Sequence, residues 1–319
     1  MAVSGIPGAE DATMLPGSSI ALISSSDRLS LRAGLATQGA IFALDVNAKN
    51  PSLKNLTDDF KQELHPHGIS LYATSDGKTL LFVINHRKNE SFVEIFEYVN
   101  GLLEHRESIS SPLMWRPNDL QAVGPRRFYV SNDHGSQTAI GRFIEDFMPL
   151  RNAYVLYFDG TTMAVAAKDI GRANGVNISG DGKTLYVAAT TEKAIRIFAR
   201  DIVTGVLTPG STIPLGSFPD NIEVDDGGNL YVAVMPKALT YMEHSRDANL
   251  RAPTQILKVM LKQSGQNDYE VVERYVDDGR VINAATVAAP FRGGMLLGPS
   301  KDKRDLVMIC RDAVDSQPH

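Results

Sequence analysis

The chain has 319 residues, 43% hydrophobic and 22% charged, so it can bury a substantial core and is neither disordered nor collagen-like. Its net charge is −5 and no basic run exceeds a few residues, which excludes the electrostatic footprint of a nucleic-acid binder and makes a bound cation easier to accommodate. One cysteine, Cys310, excludes an intrachain disulfide and a thiolate zinc cluster.

At the N-terminus, Met1 to Ser26 has no positive region ahead of its apolar residues and does not read as a signal peptide. No run approaches the ~18 apolar residues of a transmembrane helix. The compartment is left open: cytoplasmic, or periplasmic or secreted if a leader has been removed. Short β-rich segments then recur at Ile20–Ile23, Leu80–Ile84, Phe128–Val130, Leu185–Val187, Leu230–Val232 and Met295–Leu297. Their mean spacing of about 55 residues approaches the length of known propeller-blade repeats. Asp-Gly or Gly-Gly turns precede three of them, at Asp76-Gly77, Asp181-Gly182 and Gly227-Gly228, the turn chemistry of antiparallel hairpins.

Between the third and fourth units, Ile140, Phe143, Ile144, Phe147 and Met148 follow helical spacing and Pro149 stops the run. This predicts one short inserted helix whose stripe packs as core, covers a site, or contacts a membrane or partner. Helical patterns do not otherwise alternate with the strands, which argues against a two-domain α/β chain. The expected architecture is all-β: a six-bladed β-propeller forming a single domain over 1–319, with ligands on the axis.

Ahead of each repeated strand stands a small polar or glycine pair: Glu10-Asp11, His67-Gly68, Asn118-Asp119, Asn174-Gly175, Asp220-Asn221 and Ala285-Thr286. Any one of these, read alone, is a turn. Collectively they run into strand-like sequence, as in Asn174-Gly175-Val176-Asn177-Ile178, and equivalent positions in a propeller lie at one distance from its axis. They therefore form a ring. Glu10, Asn118, Asn174, Asp220 and Asn221 offer hard oxygen ligands in the mixture of carboxylate and amide that suits calcium better than magnesium. Nucleophile-elbow, metalloprotease, P-loop and EF-hand motifs are absent from the sequence, which leaves histidine and metal to carry any catalysis. His67 occupies the ring, and His86 ends the following strand in Val83-Ile84-Asn85-His86.

These motifs in this order resemble the paraoxonase family, calcium-dependent lactonases and arylesterases of six-bladed propeller fold. The resemblance covers nearly the whole chain. It is carried by Gly8-Ala9-Glu10-Asp11, His65-Pro66-His67-Gly68-Ile69-Ser70, Val83-Ile84-Asn85-His86, Pro117 to Pro125, Phe128 to His134, Ala173 to Ser179 and Asp220-Asn221-Ile222. It implies two calcium ions in the central tunnel. The catalytic ion would be held by Glu10, Asn118, Asn174, Asp220 and Asn221, and the structural ion by Asp11, Asp119 and the backbone carbonyl of Ile69. His67 and His86 match the family's histidine dyad, and His134 matches a further active-site histidine.

The resemblance implies hydrolysis of lactones and aryl esters, with phosphotriesters as a side activity and an acyl-homoserine lactone as a candidate substrate. His67 oriented by His86 would be the base, with Asp220 or Glu10 as the alternative. Mammalian members carry a hydrophobic N-terminal helix and a disulfide; this chain begins nine residues before Glu10 and Cys310 has no partner cysteine. A microbial member is therefore expected. The segment Ser26 to Gly39 does not match the family's active-site loop. Two rival readings are a gluconolactonase- or strictosidine-synthase-type propeller enzyme and a non-catalytic propeller that keeps calcium for stability.

Overall fold

The computed structural model describes residues 1–88, 90–148, 150–262 and 268–312. Among them the strands form six four-stranded antiparallel sheets. Five are built from consecutive strands, beginning with the inner strands Ala9–Met14, Pro66–Ala73, Pro117–Gly124, Ala173–Ile178 and Phe218–Val224. These sheets are blades one to five. Blade six starts at Ala285–Phe291 and takes its outermost strand, Ala2–Ser4, from the N-terminus, which pairs with Leu306–Arg311. That exchange closes the circle, and the inner strands of neighbouring blades pack on one another around the axis.

All six segments expected from sequence are the second strands of their blades. Their uninterrupted apolar runs follow from burial on both faces, because side chains alternate along a strand. In blade two, Leu81 and Val83 pack toward blade one while Phe82 and Ile84 pack toward blade three. The core is accordingly not central: six clusters lie one between each pair of adjacent blades, leaving the axis to polar side chains. Emptying one of these clusters, as in Phe82→Ala, should cost about 3–5 kcal/mol.

Among the described residues three α-helices interrupt the blades, where one was expected. Helix α1, Arg28–Arg32, is capped by Asp27, which accepts from Ser30 N at 2.9 Å. Helix α2, Ala139–Phe147, is the expected one, with Thr138 accepting from Gly141 N at 3.0 Å; Pro149 lies outside the described residues. Helix α3, Ala238–Arg246, lacks a side-chain cap and a clear apolar stripe, so periodicity could not reveal it. None of these helices is long and apolar enough to cross a membrane.

The stripe of α2 does not pack as core. Ile140 is 75% and Phe143 58% exposed, while Glu145 on the opposite side is buried and accepts from Gly135 N, Ser136 N and Asn152 Nδ2. Polar groups on the propeller claim the polar face of the helix.

Candidate metal centre and active site

Every inner strand shifts register near its start, between Ala9 and Asp11, Pro66 and Ile69, Pro117 and Leu120, Ala173 and Val176, Pro219 and Ile222, and Ala285 and Val287. A bulge inserts an extra residue and re-aims side chains. Six bulges at one level place the expected polar pairs in a single ring, on which blades meet. Asn221 Nδ2 is 3.3 Å from Glu10 Oε1, Thr286 Oγ1 donates to the Glu10 carbonyl at 2.7 Å, and His67 Nε2 is 3.4 Å from Glu10 Oε1.

The glycines of the pairs have a steric cause. A Cβ on Gly68 would stand 2.6 Å from Asp119 Cα, and one on Gly175 2.7 Å from Asn221 Cα. The next blade leaves no room for a side chain at either position.

Four oxygens of the ring, Glu10 Oε2, Asn118 Oδ1, Asn174 Oδ1 and Asn221 Oδ1, are buried and find no hydrogen-bond partner among the described residues. They come from four different blades. A buried polar atom without a partner costs about 1–3 kcal/mol, so four together are expensive unless a cation compensates them. Among the described residues no three His, Cys, Asp or Glu side chains cluster at metal-ligand spacing. The donor set is mostly amide oxygen, which fits a hard cation such as calcium and not zinc.

Charge tells the same story. Burial, followed by the charge of Glu10, raises the pKa of Asp220 to about 7. Burial also pushes Glu10 upward, yet the charge and hydrogen bond of His67 in its protonated form outweigh it and leave its pKa lowered. The ring thus holds one carboxylate that stays ionised and one that is only partly ionised at neutral pH, which a cation would ionise fully.

A second layer lies below the ring around a cavity of about 160 Å³. Asp11 Oδ2 accepts from Ile69 N of the next blade at 2.7 Å, and Asp119 Oδ2 from Val176 N at 2.7 Å. Glu223 joins them. Burial first, then the charge of Asp119, pushes its carboxyl well above the usual range. Burial and the neighbouring acids do the same to Asp11, and burial foremost to Asp119. Thr13, Ser70, Gln121 and Asn177 occupy corresponding places on their inner strands and line the cavity with Glu223. Each stands two residues after its ring pair, so strand alternation was the signal that could have located them.

Above the ring, His67 Nδ1 is 2.8 Å from His86 Nε2, and His86 Nδ1 is 3.1 Å from Ser91 Oγ. Burial, then the charge of His67, drops the His86 pKa well below the usual histidine range. Both rings line a cavity of about 350 Å³ with Arg28 and Trp115. His134 is placed differently. Its ring is held between Asp133 Oδ1 at 2.7 Å and Asp146 Oδ1 of α2 at 3.0 Å, and these bonds more than offset burial to raise its pKa. Both of its ring nitrogens are engaged by carboxylates. Arg172 Nη1 also reaches Asp146 Oδ1, at 2.7 Å. Sequence reasoning missed Arg28, Asp133, Asp146, Arg172 and Glu223, none of which lies in a repeated pair.

The family model described as Arylesterase matches residues 3–307. Serum paraoxonase/lactonase 3 of Homo sapiens is 31% identical over 299 residues, covering 91% of this chain and 83% of that protein. Serum paraoxonase/arylesterase 1 of Homo sapiens is 29% identical over 309 residues, covering 93% and 84%. Among solved structures, the calcium-binding protein regucalcin from Agrobacterium tumefaciens superposes with a TM-score of 0.56 at 14% identity, covering 98% of this chain and 93% of its own. A periplasmic gluconolactonase from Pseudomonas aeruginosa gives 0.55 at 12% identity, covering 97% and 83%. At such identities the two structures share the fold alone.

Proposed function

The chain belongs to the arylesterase family, and on that premise we propose that it is a calcium-dependent hydrolase of lactones and aryl esters, with phosphotriester hydrolysis as a side activity. The observation that carries the reading is the set of four partnerless buried oxygens on Glu10, Asn118, Asn174 and Asn221. With Asp220 they would hold the catalytic ion. Asp11, Asp119 and the carbonyl of Ile69 would hold a second calcium, with Glu223 adding charge beside it. Calcium, when bound, supplies Lewis-acid polarisation of the scissile carbonyl.

The residues handle the proton. His86 is neutral, so with its Nδ1–H directed to Ser91 Oγ its Nε2 accepts from His67 Nδ1–H. With His67 in its neutral form, that tautomer leaves Nε2 as a lone pair facing the ring. It accepts a proton from the attacking water, and Glu10 Oε1 at 3.4 Å then faces the resulting imidazolium. As the acyl C–O bond breaks, His67 returns the proton to the leaving alkoxide. Asp133 and Asp146 fix His134 beside the site without joining the transfer. Asp220 or Glu10 would be the base if His67 is not.

A panel of γ- and δ-lactones, phenyl acetate and an activated phosphotriester, each assayed with and without chelator, tests the reading. Chelator-sensitive opening of lactones supports it. Hydrolysis unaffected by complete metal removal, or none on any substrate with calcium present, overturns it.

A further inference from the structure

The net charge of the chain is −5, yet one cavity at the tunnel mouth is strongly basic. It measures about 240 Å³, and four cations line it, Arg32, Arg172, Arg246 and Lys301, against a single acid, Asp146. The cavity adjoins the ring through Thr190, whose Oγ1 receives Asn174 Nδ2 at 3.3 Å and donates to the Pro219 carbonyl at 2.7 Å. Asp146 is already engaged by His134 and Arg172. Among the described residues Lys301 Nζ has only Ser245 Oγ, at 3.1 Å, as a side-chain hydrogen-bond partner, with the Tyr241 ring 5.3 Å away, and Arg32 bonds the Ser245 carbonyl. Two further polar atoms of lining residues, Arg172 Nε and Thr191 Oγ1, are buried without a partner among the described residues. Phe218, Met235 and Met242 supply the apolar remainder of the wall.

Asp146 counters Arg172, but Arg32 and Lys301 have no carboxylate at ion-pair distance among the described residues, and cations beside an apolar wall suit a carbon chain that ends in negative charge. We propose that the cavity lined by Arg172, Lys301 and Arg32 is a specificity subsite for a carboxylate borne on the substrate, so that the preferred lactone carries an acidic side chain. This rests on the reading of the ring as a lactone-opening site. Water adds to the lactone carbonyl, the acyl C–O bond breaks, and the product is a hydroxy-dicarboxylate with release of one proton at neutral pH. A neutral acyl-homoserine lactone would leave Arg32 and Lys301 without an anionic partner.

The test compares a γ-lactone carrying a carboxypropyl chain with the same lactone ending in a primary amide. The expected kcat/KM ratio favours the acid by at least about tenfold at low salt and shrinks at about 0.5 M salt, where charges are screened. Lys301→Met and Arg32→Met, both made on the calcium-loaded protein, should each lower that ratio by up to about tenfold. A ratio near one in the parent, or a ratio that neither variant moves, overturns the subsite while leaving lactone opening intact. If neither lactone is opened, the reaction reading falls and the subsite is judged by calorimetric binding of hexanoate against hexanamide. Selective hexanoate binding that weakens about tenfold in Lys301→Met supports it. Equal binding, no binding, or hexanoate binding indifferent to Lys301→Met overturns it.

Discussion

His67 and His86 come from adjacent strands of one blade and face each other nitrogen to nitrogen at 2.8 Å, with His67 on the bulge and His86 at the end of the next strand. His67→Gln should therefore reduce lactone hydrolysis by about 10²–10⁴-fold with calcium still bound. His86→Gln should cost less, since it only orients its neighbour. Phosphotriesters with good leaving groups should fall less steeply than lactones in His67→Gln. Steady-state kinetics on both substrate classes checks this, and equal retention of both activities would move the base to Asp220 or Glu10.

Asp220 gives the calcium-free protein an unusual pH dependence. Its folded pKa of about 7 lies above the unfolded value near 3.8, so the native state binds the extra proton and loses stability as pH rises between those values. The penalty at pH 8 is on the order of 4 kcal/mol. Thermal melts in chelator should show Tm falling from pH 5 to pH 8, and added calcium should remove the slope. A flat apo profile would contradict the assignment.

Glu223 makes the lower layer more acidic than two aspartates alone. Replacing it by Gln relieves repulsion, so Glu223→Gln should raise the Tm of chelated protein at pH 8 and weaken the affinity for the second calcium. Melting curves and calorimetric calcium titration read the two effects separately; a variant that lowers the apo Tm would show that Glu223 is not repelled there.

His134 titrates with the same sign. Its pKa is raised in the folded state by Asp133 and Asp146, so its contribution is complete below about 6.5 and is lost as pH rises through the folded value. In calcium-loaded protein the stability gap between parent and His134→Gln should be wide at pH 6 and narrow at pH 9.

Gly175→Ala should cost about 1–3 kcal/mol, since the new methyl meets the backbone of Asn221 and cannot be turned aside. Chemical denaturation of calcium-loaded protein measures it, and an unchanged midpoint would mean that the blades part readily.

What was legible in the sequence followed from repetition. The second strands announced themselves because both faces are buried, and the ring because six bulges recur at one level, as with Asn174-Gly175 and Asp220-Asn221. Singular features had no such signal. Arg172 and Asp146 meet only because α2 folds back over blade three, and the stripe of Ile140 and Phe143 gives no hint that Glu145 is the buried side. Glu223 was half visible: it stands two residues after Asn221, on the same side of its strand, but no motif singles it out.

The proposed function stands on the four partnerless oxygens forming a calcium site. Anomalous diffraction from crystals grown with calcium measures it directly. An ion is expected about 2.3–2.6 Å from Glu10 Oε2, Asn118 Oδ1, Asn174 Oδ1 and Asn221 Oδ1. A catalytically active crystal with no ion at the ring, or with those oxygens turned away to protein donors, would contradict it.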